Sequence, residues 1–225
     1  MKIVFTYCRI SDKPISEFTI LMAKLAVCSV NKFTGLETVL YTNVHDFDGL
    51  PFSDIQYVDF FTWDWDRRYW NIPKLMTYAC QNEPFVHMDL DICVLPFIGF
   101  QEADIICEKV RDILPDENAG RHCINPSHGI CSGFMGTSTQ KGLDYFKHLY
   151  YGKCMNECKT GINDDVRFAD LYSLEECYTY EYTVKNQLYV KPVGVQNFWH
   201  FTGVNKENRF RQAVEKTIKT LGFDK

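Results

Sequence analysis

Two aspartates at the end of an apolar strand are the residues of this 225-residue chain whose types and spacing most suggest chemistry. Residues 85–88 read Phe-Val-His-Met and lead directly into Asp89-Leu90-Asp91. Because an unpaired carboxylate inside a sheet loses much of its solvation energy, we expect the strand to end here and both carboxylates to face a cation. Carboxylate oxygens suit Mg²⁺ or Mn²⁺. An isolated Asp-x-Asp is also typical of a polar strand end at which Asp91 caps a turn.

A second group lies near the C-terminus, where His200, Gly203 and Lys206 follow one another at intervals of three. An imidazole is a metal ligand, a glycine lets a backbone N–H approach a phosphate closely, and a lysine binds the same anion. A nitrogen ligand beside two carboxylates favours Mn²⁺ over Mg²⁺. His200 alone, between aromatic residues, would be a structural histidine. The combination with Gly203 and Lys206 favours a site for a metal ion and a phosphate.

Alternating strand and helix patterns must position these two groups. Apolar runs bounded by polar loops predict strands, and apolar residues at helical spacing predict helices. The predicted strands are 3–7, 37–42, 55–60, 85–90, 103–107, 130–136 and 188–193, and the predicted helices are 16–31, 71–80, 141–149, 164–171 and 208–221, with a long loop over 112–128. This alternation predicts an α/β fold with a central, mainly parallel mixed sheet flanked by helices. Ligands in such sheets bind at the carboxyl ends of the strands.

The composition restricts the class of protein. Hydrophobic residues make up 46% of the chain, which indicates a folded protein, and the length suits a single large domain. The 24 Lys and Arg against 29 Asp and Glu give a net charge of −5, which argues against nucleic acid as a partner. An acidic protein that binds a polyphosphate must supply positive charge locally. No segment has the ~18 apolar residues that span a bilayer, and the first strand leaves no room for a signal peptide, so we expect a cytoplasmic protein without a membrane span.

Ten cysteines are many for a protein of a reducing compartment. Cysteines in apolar, periodic stretches act as small buried hydrophobic residues. Those in such stretches are Cys28, Cys80, Cys93 and Cys107. Cys154 and Cys158 are separated by three residues rather than the two of a typical zinc knuckle, and no second pair follows. We therefore expect buried thiols, with a structural zinc site or a redox pair at Cys154 and Cys158 as the alternatives.

In this order the two groups resemble the signature motifs of the GT-A glycosyltransferases, specifically the retaining family that includes glycogenin and bacterial galactosyltransferases. The Asp-Leu-Asp sequence at 89–91 is similar to the family's Asp-x-Asp motif, and residues 200–206 are similar to its His-x-x-Gly-x-x-Lys motif. The resemblance implies one GT-A (Rossmann-like) domain over residues 1–225. Within it, the nucleotide-binding half is expected at 1–95 and the acceptor-side half at 96–225.

The resemblance assigns roles to the residues of both motifs. It implies that Asp89, Asp91 and His200 bind Mn²⁺, or Mg²⁺. It also implies that Gly203 and Lys206 hold the diphosphate of a nucleotide-sugar donor. The metal ion and Lys206 would then neutralise the charge of the leaving group. Although the chain is acidic overall, positive charge would thus be present at the point where the donor needs it.

Two further segments are similar to the family more loosely. The sequence Cys-Ser-Gly-Phe-Met around Ser132 and Gly133 resembles the family's Asn-Ser-Gly-Val-Met strand beside the donor sugar, with Cys131 in place of the asparagine. The sequence Asn-Asp-Asp-Val around Asp164 and Asp165 resembles its Asp-Gln-Asp segment near the anomeric carbon. One of these two aspartates would stabilise the positive anomeric centre or form a covalent glycosyl-enzyme. A carboxylate at a helix N-terminus is the alternative.

Other residues near the same sheet edge complete the predicted donor site. Thr6 and Tyr7 end the first strand, where the nucleotide base usually lies in this fold, and Tyr7 is placed to stack on it. Arg9 follows that strand, and Lys74 belongs to the helix before the Asp-x-Asp strand. Both cations face the same edge, or else are ordinary solvated surface. The aromatic and charged run 63–70 either lines an acceptor cleft or is a loop anchored on the core.

The residues and the resemblance together predict a metal-dependent hexosyltransferase. It would move a sugar from a UDP- or GDP-sugar to a glycan or protein acceptor, with retention of configuration implied by the resemblance alone. Small virus-encoded enzymes of this kind have this size. Two alternatives stay open: a metal-dependent nucleotidyltransferase, and a non-catalytic nucleotide-sugar or carbohydrate binder of the same fold. The absence of glycine from 7–14 argues against the first, which favours a glycine-rich loop after the first strand.

Overall fold

A seven-stranded mixed sheet forms the centre of the structure. The computed structural model describes residues 1–96, 99–113, 128–161, 173–194, 196, 198–201 and 207–208. Its strands are β1 (Lys2–Tyr7), β2 (Thr38–Thr42), β3 (Asp54–Tyr57), β4 (Phe85–Met88), β5 (Ile92–Val94), β6 (Ile105–Cys107), β7 (Val110–Asp112), β8 (His128–Ile130), β9 (Phe134–Thr137), β10 (Val190–Pro192) and β11 (Phe198–His200). The central sheet has the order β3-β2-β1-β4-β9-β6-β10, in which six strands are parallel and β9 runs in the opposite direction. Two antiparallel pairs, β5 with β11 and β7 with β8, accompany it.

Helices cover both faces of this sheet. They are α1 (Glu17–Phe33), α2 (Ile72–Ala79), α3 (Gln140–Lys147), the short α4 (Met155–Glu157) and α5 (Tyr178–Lys185), with π-helical turns at His148–Cys154 and Ser173–Cys177. The side chain of Ser16 accepts a hydrogen bond from the N–H of Thr19 and so caps α1. Pro73 lies in the first turn of α2, where a missing N–H costs no intrahelical bond. Within the described ranges, no helix is both long and apolar enough to cross a membrane.

Alternate residues of the central strands pack into opposite layers. Val4 of β1 and Phe85 of β4 belong to one buried cluster, together with side chains of α2 and α3. Ile3, Phe5 and Val86 belong to the other, together with side chains of α1. Because both faces are covered, the central strands read as nearly continuous apolar runs. The prediction of an α/β fold with a mainly parallel central sheet flanked by helices is therefore confirmed.

The order of the strands creates a crevice at the carboxyl ends of β1 and β4. The chain moves outward from β1 through β2 to β3 and then returns to place β4 on the other side of β1. Ligands of open α/β sheets bind where the strand order reverses in this way. Tyr7 ends β1 and Asp89 directly follows β4, so both residues lie at this crevice.

Some predicted elements are wrong in detail. The apolar run 130–136 is not one strand, because β8 and β9 are separated by a turn at 131–133. The helix predicted over 141–149 begins at Gln140 and continues as π-helical turns rather than as an α-helix. The predicted segments that lie wholly or mostly outside the described residues are the helices 164–171 and 208–221 and the loop 112–128.

The nine cysteines that the structure describes are free thiols rather than disulfides. The buried ones include Cys93, Cys107, Cys154 and Cys158. Cys154 and Cys158 belong to no group of three metal-ligating side chains among the described residues, which favours buried thiols at this pair. The prediction of burial is wrong for Cys80, which is exposed at the end of α2, and for Cys28, which is half-buried.

Candidate metal centre

The turn between β4 and β5 carries both aspartates of the Asp-x-Asp sequence. β4 ends at Met88, and the N–H of Asp89 then donates a hydrogen bond to the carbonyl of Gly133 (2.8 Å). The N–H of Ile92 donates to the carbonyl of Asp89 (3.1 Å), which closes the turn where β5 begins. The buried strand therefore ends where the carboxylates begin.

The last described strand, β11, brings His200 to this turn. It pairs with β5, with His200 opposite Ile92, and the N–H of Phe201 donates to the carbonyl of Asp91 (3.0 Å). The Nε2 atom of His200 lies 3.7 Å from a carboxylate oxygen of Asp91. One ligand atom from each of Asp89, Asp91 and His200 lies within 4.8 Å of the others. The structure thus brings together the three residues that the sequence predicts as metal ligands.

Lys74 of α2 holds the carboxylate of Asp89. Its ammonium group lies 3.0 Å from Asp89 and 3.4 Å from Glu175, and it donates to the carbonyl of Ser132 (2.7 Å). The side chain is only 8% exposed, so Lys74 is not solvated surface. Burial by itself lowers the pKa of Lys74, but the carboxylates of Asp89 and Glu175 outweigh burial and raise it. Lys74 is therefore a buried, charged counter-ion.

The surroundings of Asp89 disfavour its negative charge. Burial raises the pKa of Asp89 to about 6, and the neighbouring Asp91 and Glu175 add to this effect against the attraction of Lys74. The side chain is nevertheless 33% exposed, so part of the carboxylate is open to solvent. Asp89 and Glu175 share one lysine, and Asp91 lies beside Asp89, so an added cation at the open side of Asp89 would be stabilised.

Glu108, which follows β6, orients the imidazole of His200. Its carboxylate accepts hydrogen bonds from Nδ1 of His200 (2.9 Å) and from the thiol of Cys131 (3.2 Å). Burial is the largest influence on the pKa of Glu108 and raises it. The bond and charge of His200, the bond from Cys131 and the charge of Lys109 together outweigh burial and lower this pKa, so the carboxylate is ionised and only accepts. Nδ1 must then carry a proton, and Nε2 is the atom that faces Asp91. Carboxylates commonly orient metal-ligating histidines in this way.

Gly133 leaves the space that His200 fills. A Cβ atom at Gly133 would collide with Cε1 of His200 and would lie 3.0 Å from its Nε2. The preceding residue, Ser132, donates from its N–H and its hydroxyl to the buried Glu176, at 3.0 Å each, and its carbonyl accepts from Lys74. Ser132 and Gly133, the residues predicted to border the donor sugar, therefore lie beside the carboxylates. Lys74 and Glu176 fix the backbone of Ser132 from two sides.

Thr6, Tyr7 and Arg9 lie at the neighbouring end of β1. The hydroxyl of Thr6 is 3.1 Å from Nε2 of the buried His87. Tyr7 is half-buried and packs edge-on against Phe47, with 4.9 Å between the ring centroids. Arg9 is exposed. The hydroxyl of Thr6 also donates to the buried Thr77 (2.9 Å), so it is engaged within the protein, whereas Tyr7 and Arg9 keep surface open at the end of β1.

Four predicted site residues lie outside the described part of the chain. Asp164 and Asp165 are predicted to act at the anomeric carbon. Gly203 and Lys206 are predicted to hold the diphosphate. Their roles stay predictions.

The aromatic run 63–70 is anchored on the core. Trp65 and Tyr69 are buried, and the indole N–H of Trp65 donates to the carbonyl of Phe60 (2.7 Å). Trp70 is 54% exposed. The interpretation of this run as an anchored loop is therefore supported at two residues, and Trp70 keeps an open surface.

Three buried glutamates of the site were not predicted from the sequence: Glu108, Glu175 and Glu176. Glu175 accepts a hydrogen bond from Tyr78 (2.8 Å), and Glu176 pairs with Arg111 (3.0 Å). Glu108 directly follows the apolar run Ile-Ile-Cys, which is the same strand-to-carboxylate signal as in the Asp-x-Asp sequence. For Glu175 and Glu176 the signal is weaker, because two acids between a leucine and a cysteine are also typical of a helix surface.

Residues 41–112 match a family of unknown function (DUF6734). The match covers less than half of the chain and extends from β2 through β7. It includes Lys74, Asp89, Asp91 and Glu108, which are residues of the site described above. No curated protein matches the chain.

Proposed function

We propose that the chain is a metal-dependent glycosyltransferase with a single GT-A domain, which moves a hexose from a UDP- or GDP-sugar to a glycan or protein acceptor. The observation that carries this proposal is the convergence of Asp89, Asp91 and His200 at the crevice where the strand order reverses. A nucleotide-binding crevice and a cation site at the same sheet edge are the two parts that a nucleotide-diphosphate donor requires.

The ligand set fits Mn²⁺ or Mg²⁺. Two carboxylates provide hard oxygen ligands, and the imidazole nitrogen favours Mn²⁺ of the two ions. The ligand atoms lie within 4.8 Å of one another, and Asp89 is open to solvent on one side. A bound ion would supply positive charge to the diphosphate and so stabilise the leaving group as the glycosidic bond breaks.

The protein's own contacts prepare the three ligands. Lys74 fixes the carboxylate of Asp89 at 3.0 Å. Glu108 fixes the imidazole of His200 so that Nε2 faces Asp91. Because these side chains are held before a ligand arrives, little conformational entropy is lost on binding. This preorganisation supports a binding role over a merely polar strand end.

The donor lies across the ends of β1 and β4 in this proposal. The two strands are adjacent and parallel, so Thr6 and Tyr7 contact the nucleoside while the exposed Arg9 adds positive charge beside the phosphates. The sugar lies against Ser132 and Gly133, whose backbone is next to Asp89.

The four residues outside the described ranges complete the reaction that we propose. Gly203 and Lys206 hold the diphosphate, and Lys206 neutralises part of the charge that the leaving group gains. Asp164 or Asp165 either stabilises the positive anomeric centre or displaces the nucleotide to form a covalent glycosyl-enzyme, which the acceptor then attacks. The two inversions of the covalent route give retention of configuration, an outcome that the resemblance alone implies.

Incubation with Mn²⁺ and a panel of UDP- and GDP-sugars tests the proposal. We expect slow release of UDP or GDP, because a transferase without its acceptor transfers the sugar to water. Asp91→Asn removes a metal ligand at constant side-chain size, so release should fall to background. Asp144→Asn, which changes an exposed aspartate of α3, is the matched control and should release nucleotide at the wild-type rate.

The products distinguish the alternative functions. Release of pyrophosphate from a nucleoside triphosphate, without cleavage of any nucleotide sugar, would replace the proposal with a nucleotidyltransferase. Saturable binding of a nucleotide sugar without product, over a panel of acceptors, would identify a non-catalytic binder.

A further inference from the structure

A second group of metal-ligating side chains lies on the other side of the His200 ring. Glu108, Cys131 and His200 each place one ligand atom within 4.8 Å of the other two. The carboxylate of Glu108 is the centre of this group, at 2.9 Å from Nδ1 of His200 and 3.2 Å from the sulfur of Cys131. The protons of these two hydrogen bonds lie between the three ligand atoms, which form a triangle.

Backbone hydrogen bonds fix the three elements that present these side chains. Glu108 follows β6, and its N–H donates to the carbonyl of Phe134 (2.9 Å). Cys131 follows β8, and its N–H donates to the carbonyl of Lys109 (3.0 Å). His200 belongs to β11, which pairs with β5. The three ligand atoms therefore converge through the sheet rather than through long, freely rotating side chains.

The chemistry of this group differs from that of the aspartate pair. Sulfur, imidazole nitrogen and a single carboxylate oxygen are the ligand types of protein-bound Zn²⁺, whereas Mg²⁺ and Mn²⁺ prefer oxygen. Glu108 is 4% exposed, while Cys131 and His200 are partly exposed. The group thus combines a buried anion with a side that water can reach, as a three-residue zinc site with one exchangeable position requires.

We propose that Glu108, Cys131 and His200 form a site for a thiophilic divalent cation of the Zn²⁺ class. This cation competes with the ion of the aspartate centre, a competition that rests on the proposed function. On binding, the thiol proton of Cys131 leaves to solvent, and the imidazole proton moves from Nδ1 to Nε2. Nδ1 then binds the cation. Nε2 becomes a donor that faces Asp91 and is no longer a ligand for a second ion. Occupation of one site therefore removes His200 from the other.

Cobalt(II) tests this proposal, because it replaces Zn²⁺ in protein sites and gives an intense near-ultraviolet charge-transfer band when a thiolate is a ligand. Titration of the wild-type protein with Co²⁺ should produce the band. Cys131→Ser should abolish it and should lower the affinity for Zn²⁺ by more than about 100-fold, since even groups that only orient a ligand contribute about 10–100-fold. Glu108→Gln keeps the thiol but replaces a charged ligand, so the band should persist but require more than about 100-fold more Co²⁺.

Two controls separate this site from other thiols and from the aspartate pair. Cys80→Ser changes an exposed cysteine at the end of α2 and should keep the band. Asp91→Asn should also keep it, because Asp91 is not part of the triangle. Far-ultraviolet circular dichroism verifies that Cys131→Ser is folded. Should that variant not fold, Cys131→Ala gives the same test.

Competition between the ions is measured by electron paramagnetic resonance of free Mn²⁺. Zn²⁺ should displace Mn²⁺ from the wild-type protein, and about tenfold more Zn²⁺ should be needed in Cys131→Ser, where the cation competes only at the aspartates. Equal displacement in both proteins would overturn the coupling between the two sites.

These measurements distinguish failure of the proposed Zn²⁺-class site from failure of the proposed glycosyltransferase function. A wild-type protein without the charge-transfer band, or a band that survives in Cys131→Ser, overturns the proposed site and leaves Glu108 as a residue that only orients His200. A thiolate band in a protein that binds no Mn²⁺ and cleaves no nucleotide sugar supports this site and contradicts the transferase.

Discussion

Asp89 and Asp91 are separated by one residue but have different surroundings. The carboxylate of Asp89 lies 3.0 Å from the buried ammonium group of Lys74. The carboxylate of Asp91 lies 3.7 Å from Nε2 of His200, whose other ring nitrogen is bound by Glu108. One side of the motif thus already contains a cation, and the other contains an oriented imidazole. Two identical side chains of one short motif therefore have different neighbours: Asp89 takes part in the balance of buried charge, and Asp91 faces the oriented imidazole.

The largest effect is expected from removal of the cation on the Asp89 side. Lys74→Met keeps much of the side-chain volume but leaves Glu175 buried without its counter-ion, and breaking a buried ion pair costs about 3–5 kcal/mol. We expect the free energy of unfolding, measured by urea denaturation, to fall by about this amount. Lys24→Met, at an exposed position of α1, is the control and should change it by less than about 0.5 kcal/mol. Equal stabilities for the two variants would show that Lys74 does not balance the buried carboxylates.

On the other side of the motif, loss of Asp91 should change metal affinity rather than folding. Asp91→Asn replaces a charged ligand with a neutral amide. The dissociation constant for Mn²⁺ should rise by more than about 100-fold, since groups that only orient a ligand already contribute about 10–100-fold. Electron paramagnetic resonance of free Mn²⁺ measures the change, with Asp144→Asn as the reference. Wild-type affinity in Asp91→Asn would exclude Asp91 from the ligand set.

A smaller effect on the same side is expected from Glu108, which orients a ligand in the proposed Mn²⁺ centre without belonging to it. Glu108→Gln should weaken Mn²⁺ binding by about 10–100-fold, because the neutral amide no longer fixes the proton on Nδ1 of His200. Isothermal titration calorimetry measures this affinity, and Glu102→Gln, at an exposed position, should leave it unchanged. A loss as large as that of Asp91→Asn would indicate that Glu108 is itself a ligand of this ion.

The position of the aspartates could be predicted from sequence because it follows a local rule, whereas the approach of His200 to them was implied only by the resemblance. An apolar strand that runs into Asp89 and Asp91 must end there, since the carboxylates cannot be buried unpaired. The carboxyl ends of parallel strands share one edge of the sheet, which brings Tyr7 and Asp89 to the same crevice. The register that places His200 opposite Ile92 adds the imidazole, although no local pattern fixes that register.

The pairing of the buried charges could not be predicted in this way, although Lys74 itself was predicted at this sheet edge. Lys74 lies in a helix whose residues are all buried, and its charge is compensated by Glu175, a residue from a distant part of the chain. A buried ion pair depends on the tertiary fold that joins its partners, so no local pattern shows that these two residues pair. The run 130–136 was unpredictable for a related reason. An apolar run shows burial, but it does not show that the backbone turns at Ser132, where Lys74 and Glu176 bind it.

The smallest effect is expected on the free energy of unfolding when the charge of Asp89 is removed, and this change tests the difference between the two aspartates most directly. Burial and the neighbouring carboxylates raise the pKa of Asp89 to about 6, so its anion is less stable in the folded protein than in the unfolded chain. Without metal and at neutral pH, Asp89→Asn should therefore increase the free energy of unfolding by about 1 kcal/mol, since one pKa unit corresponds to about 1.4 kcal/mol and solvent at the open side reduces the effect. Asp91→Asn should change the free energy of unfolding by less than about 0.5 kcal/mol.

Excess Mn²⁺ should then stabilise the wild-type protein but neither variant, because a ligand stabilises only the state that binds it. A loss of stability in metal-free Asp89→Asn would mean that the bond to Lys74 outweighs burial and the repulsion from the neighbouring carboxylates. Asp89 would then contribute mainly to the stability of the fold.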